Sequence, residues 1–135
     1  MHGTSLDWFR QMVVLVIALV AMPVAAQAAS EIVASGTFEG RGGHIASGGV
    51  TVLKTGDGYV VRLEPDFRFN GAPDPKLGFG KDGYESSTKF SALRSNSGMQ
   101  TYRLRGSIDP TTYDELWLWC EQFDVPLGVA HLKAP

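Results

Sequence analysis

Leu116-Trp117-Leu118-Trp119-Cys120 is the stretch whose reading decides the fold. It holds two of the three tryptophans and the only cysteine, and it carries no charge. Successive side chains of a strand point to opposite faces, so Leu116, Leu118 and Cys120 share one face and Trp117 and Trp119 the other. A strand that is apolar on both faces is expected to be buried on both sides, at the centre of a small domain. Downstream, residues 123–132 form a further apolar run that closes the domain.

Upstream of this strand, Asp109-Pro110-Thr111 has the form of a single helical turn, with Asp109 as cap and Pro110 at the first position. Residues 88–93 and 99–104 flank Asn96-Ser97-Gly98 and predict a hairpin. A clearer one joins residues 48–54 to 59–64 through Gly56-Asp57-Gly58, where glycine supplies positive φ without steric cost. In the second arm Tyr59, Val61 and Leu63 alternate with Val60, Arg62 and Glu64, the pattern of a strand with one face toward a core. Residues 65–75 hold three prolines and read as an irregular connection, and residues 76–79 as a short strand. Residues 32–38 supply a first strand, ending at Gly40-Arg41-Gly42-Gly43. With about eight short strands after the leader, the fold class is all-β, an antiparallel β-sandwich or small barrel.

The leader is residues 1–28. Arg10 precedes an apolar run from Met12 to Met22, and Ala26-Gln27-Ala28 offers a small-x-small exit, the three parts of a secretory signal peptide. The run is shorter than the ~20 apolar residues that span a bilayer. Cleavage after Ala28 then leaves residues 29–135 as one exported domain, periplasmic or extracellular, with no membrane span. No cysteine stands at the exit, so lipid anchoring is not expected. The chain of 135 residues has a net charge of -2 and a pI of about 5.9, which give no reason to expect nucleic acid as a partner.

Cys120 cannot form an internal disulfide, because it is alone. It reads either as a small apolar core side chain or as a redox-active or ligating thiol. No lysine, arginine or histidine adjoins it in sequence. Cys120, His44, His131 and Met99 together make a set of soft and borderline ligands. Blue-copper proteins gather Cys, His and Met on one loop, whereas no methionine follows Cys120 here. No metal site is therefore assigned. His131, inside an apolar run, reads as a core histidine, and the two tryptophans likewise as core. Asp74 reads as a residue that bonds to the backbone of its own loop. A Cys-x-x-Cys-His haem attachment is excluded by the single cysteine, while a non-covalent haem is compatible with the residues present. There is no Gly-x-Ser-x-Gly elbow and no His-Glu-x-x-His, so an accessory role is expected rather than stand-alone catalysis.

Several short motifs occur in order: Gly36-x-Phe38, His44-x-x-Ser47-Gly48, Asn70-Gly71-Ala72-Pro73-Asp74, Gly98-Met99-Gln100-Thr101-Tyr102, and Trp119-Cys120-x-x-Phe123-x-Val125 with Ala130-x-Leu132. Together they resemble the DM-thirteen domain, also called the electron-transfer DM-thirteen family, over roughly residues 31–132. The resemblance implies an extracytoplasmic, all-β module whose cysteine works as a naked thiol or binds a group such as haem. On residue matching that cysteine is Cys120, with His44 and Met99 as the candidates for company in any cofactor site. This chain carries the domain alone, so the resemblance places a redox partner on another polypeptide. The expected function is extracytoplasmic electron transfer or redox handling centred on Cys120. The alternative is a non-catalytic binding module in which Cys120 is structural.

Overall fold

The computed structural model describes residues 16–22 and 29–135. The expected signal-peptide exit at Ala26-Gln27-Ala28, and residues 1–15, lie outside the described residues. Residues 16–22 are exposed and have no regular secondary structure. No helix among the described residues is long and apolar enough to cross a membrane.

The domain is all-β. Its strands are β1 (Glu31–Gly40), β2 (Ala46–Ser47), β3 (Gly49–Thr55), β4 (Gly58–Leu63), β5 (Arg68–Phe69), β6 (Pro75–Gly80), β7 (Ser91–Ala92), β8 (Gln100–Arg103), β9 (Glu115–Cys120) and β10 (Val125–His131). Eight of them form one antiparallel sheet in the order β7-β6-β9-β10-β1-β3-β4-β8, and β2 pairs with β5 separately. The expected choice between sandwich and barrel resolves through β1. Residues Glu31 to Thr37 of this strand pair with β3, whereas Phe38, Glu39 and Gly40 pair with β10. One long strand thus joins two half-sheets that curl around a shared core.

Side chains close the curl. Arg94, just after β7, donates its backbone N–H to the Tyr102 hydroxyl of β8 at 3.1 Å and its Nη1 to the Thr101 carbonyl at 2.8 Å. Its guanidinium also lies 4.4 Å from the centre of the Tyr102 ring. Tyr102 in turn donates to Gln100 Oε1 at 2.5 Å, and Phe90 meets its ring edge-on at 5.9 Å. Buried Tyr102 therefore stands in for the missing ladder between β7 and β8, and the result is a nearly closed barrel. Burial holds its phenol above the usual tyrosine range, against the opposing effect of Arg94. Tyr102→Phe should cost about 1–3 kcal/mol, the penalty of removing one partner from buried polar groups. Urea denaturation measures this, and an unchanged midpoint would show that the seam needs no hydroxyl.

This seam corrects one expectation. The runs around Asn96-Ser97-Gly98 do not pair as a hairpin, because β7 pairs with β6 and β8 with β4. The backbone between them is engaged elsewhere: the Asn96 carbonyl accepts from Phe69 N–H at 2.8 Å, and Ser97 bridges to Arg68. Two local expectations nearby hold closely. β3 and β4 pair through the Gly56-Asp57 turn, and Asp109 caps Pro110–Thr112 by accepting from Thr111 N–H at 3.0 Å.

The core is built from alternating residues of both half-sheets, among them Val52, Val61, Leu63, Leu77, Phe79 and Leu118. Its loop-bearing end is plugged by aromatic rings. Phe67 is fully buried and meets Phe38 edge-on, with centroids 5.4 Å apart, while Phe69 of β5 lies across from Ala46 of β2.

Candidate functional site

β9 sits between β6 and β10, and its alternation divides the chemistry in two. Leu116, Leu118 and Cys120 point into the core, fully buried. Trp117 and Trp119 face outward and are half-buried, so the strand is not covered on both sides as its composition suggested. Cover on the outer face comes from one residue that the sequence did not single out. Tyr84 stacks on Trp119 with centroids 4.7 Å apart, and Trp117 meets Trp119 edge-on at 6.0 Å. Room for Tyr84 exists because β6 carries Gly78 opposite Trp117: a Cβ there would stand 2.7 Å from the Tyr84 ring. A glycine inside a strand marks such close approaches, and this was the signal available in the sequence.

Cys120 is the last residue of β9. Its cross-strand partners are Val125 of β10 and Pro75 of β6. Pro75 ends the Asn70-Gly71-Ala72-Pro73-Asp74 loop, and the Asp74 carbonyl accepts the Glu121 N–H at 3.1 Å. The loop and the turn that follows Cys120 are thus tied directly over the end of the strand. The Asp74 side chain does not bond to its own backbone as expected. It pairs instead with Lys76 Nζ at 3.1 Å, one strand position past Pro75. The same loop reaches the next one: Asn70 and Ile45 exchange hydrogen bonds, Asn70 N–H to the Ile45 carbonyl and Ile45 N–H to Asn70 Oδ1, both at 3.0 Å.

That link leads to His44. Its ring is half-buried, 5.9 Å from the Phe69 ring, and its N–H closes a turn onto the Arg41 carbonyl at 3.0 Å. Met99 precedes β8 and is 64% exposed. The topology therefore brings to one end of the barrel Cys120, at the end of β9, and His44 and Met99, on the β1–β2 and β7–β8 connections. His131 is separated from them, at the far end of β10 beside Glu115, and is exposed rather than in the core. The reason is alternation: Ala130 and Leu132 on either side take the inward positions. No group of His, Cys, Asp and Glu able to hold a metal occurs among the described residues.

The sequence profile of the family described as Electron transfer DM13 matches residues 37–132, which is more than half of the chain. The chain belongs to that family. No curated protein and no solved structure matches it. DM13 membership implies an electron-transfer-related role. The matched span takes in Phe38, the His44 and Asn70 loops, Met99 and the Trp-Cys element. A haem does not fit Cys120 as it is packed, because the side chain is 1% exposed within a close-packed core. A groove on the barrel, with a volume of about 340 Å³, is lined by Ser35, Thr37, Glu39, His131 and Lys133, away from Cys120.

Proposed function

We propose that this protein is an exported electron-transfer accessory of the DM13 family, with Cys120 as a naked working thiol and a redox protein on another chain as its partner. The observation that carries the reading is the placement of Cys120 beneath the Asn70–Asp74 loop, through the Asp74 to Glu121 hydrogen bond and the Pro75 pairing. The sulfur lies where the ladder stops. Fraying at the end of a ladder costs less than global unfolding, and it is the motion that would bring the sulfur toward solvent.

One thiol cannot close an internal disulfide, so a two-electron exchange runs through the partner. The Cys120 thiolate attacks one sulfur of a disulfide on that protein, a new S–S bond forms, and the other sulfur leaves as a thiolate. The proton released from Cys120 passes to solvent or to the leaving thiolate. His44 and Met99 border the same end of the barrel, where a docking partner would meet them.

A second reading rests on the burial of Cys120, which is 1% exposed beside Leu118 in the same core. Under it the domain is a non-catalytic binding module and the thiol is structural. Native-state labelling separates the two. The redox reading expects protein recovered from its own compartment to carry Cys120 as a mixed disulfide, or to react with a small disulfide reagent while folded. A thiol that stays reduced and unreactive until the barrel unfolds would return Cys120 to the core.

A further inference from the structure

The outer face of β9 carries chemistry that the thiol does not use. Trp119 lies nearly parallel to Tyr84, with 18° between the ring planes, and Trp117 completes the cluster. Each indole N–H ends on a carboxylate. Trp119 Nε1 donates to Asp124 Oδ1 at 3.0 Å, and Trp117 Nε1 donates to Glu115 Oε1 at 3.3 Å. A backbone carbonyl or an amide would satisfy an indole donor equally well, but a carboxylate can also take the proton of an indole that has lost an electron. Glu115 is further committed to the Gly83 N–H at 2.8 Å, whereas Asp124 stands in the exposed turn after Cys120.

We propose that this face is a one-electron relay in which Trp119 is the electron donor and Asp124 its proton acceptor. An oxidised metal complex in contact with the outer face of β9 gains one electron, and the Trp119 indole loses one. The Nε1–H bond breaks and an O–H bond forms on Asp124, leaving a neutral indolyl radical beside a neutral carboxyl. When a donor returns the electron, Asp124 returns the proton. The surroundings favour this course, because the Asp124 carboxylate on the indole attracts a developing positive charge on the ring, whereas Glu121 is paired with Lys89 Nζ. Tyr84 contributes a stacked, neutral ring. Burial, and then the charges of Glu121 and Asp124, hold its phenol above the usual tyrosine range. The relay adds an outer-face path to the electron-transfer role of the family and does not depend on Cys120.

The test is a flash-quench experiment on the full chain with Trp8→Phe as background, so that Trp117 and Trp119 are the only indoles. Photogenerated tris(bipyridyl)ruthenium(III) is the oxidant, and transient absorption distinguishes the neutral indolyl radical from the protonated cation. Asp124→Asn is the informative variant. Asp124 has φ 51°, a left-handed conformation that Asn also tolerates, and the amide oxygen still accepts the indole hydrogen bond. It cannot accept the proton. The background protein should give the neutral radical promptly. Asp124→Asn should give the cation, deprotonating more slowly by about 100-fold, the usual worth of a positioned base. Trp119→Phe should remove most of the radical yield, and Cys120→Ser should leave it unchanged. The same neutral radical at the same rate in Asp124→Asn would overturn the relay, as would an undiminished yield in Trp119→Phe. A yield lost in Cys120→Ser would also overturn it, since the oxidised site would then be the thiol. Failure of the thiol-labelling experiment leaves these outcomes unaffected, so the two readings fail separately.

Discussion

Gly48→Ala should destabilise the domain by about 4 kcal/mol, combining backbone strain of about 1–3 kcal/mol with a clash of similar size. Gly48 joins β2 to β3 at φ +93°, a conformation that L side chains rarely adopt. An added Cβ would stand 2.5 Å from Phe67 Cα and 2.6 Å from the Asp66 carbonyl, so it meets backbone rather than a side chain able to swing away. The position is also fixed from both sides. The Gly48 carbonyl accepts the Phe38 N–H at 2.9 Å, and the Gly49 N–H donates to Asp66 Oδ1 at 2.9 Å. Relief would require moving the segment that carries Phe67 into the core. Gly43→Ala is the control: its φ is +80°, but a Cβ there meets nothing within 4 Å. It should lose only the conformational part, about 1–2 kcal/mol. Equal losses in the two variants, measured by urea denaturation, would show that the contact with Phe67 does not limit stability.

Leu118→Ala should cost about 3–4 kcal/mol and lower the melting temperature by roughly 10–20 °C. Leu118 is completely buried at the middle of β9, with Leu77 of β6 on one side and Gly128 of β10 on the other. Gly128 has no side chain to lend, and the space beside it is already taken by Ala46 and the Glu39 carbonyl. Truncation opens a cavity that neither neighbour can close, and close-packed cores relax only partly around such losses. Trp119→Phe on the opposite face of the strand should cost less, since that ring is only half-buried. Calorimetry of the two variants gives the comparison directly. A larger loss at Trp119 would mean that the outer aromatic cluster, and not the barrel interior, limits stability.

The two faces of β9 show how far the sequence could be read. Inward placement of Leu116, Leu118 and Cys120 follows from period-two alternation. So does the β3–β4 hairpin, whose partners lie close along the chain. The same rule places His131 outside, because Ala130 and Leu132 are its inward neighbours. The run at 123–132 is apolar overall, and only its alternation distinguishes the outward position of His131. The ordered motifs pointed to the family, and the profile match over residues 37–132 bears that out.

What sequence alone determined was local: alternation in β9, the β3–β4 turn, the Asp109 cap, and the lone cysteine that rules out an internal disulfide. These features depend on residues a few positions apart, where backbone geometry acts directly. Tertiary structure decided the rest. Arg94 and Tyr102 join the barrel edges in place of a hairpin, Asp74 and Pro75 arrive beside Cys120, and Tyr84 covers Trp119. Each of these contacts joins elements whose meeting depends on how the whole sheet curls. Strand pairing across long separations is set by closure around the shared core, and no short window of sequence encodes it.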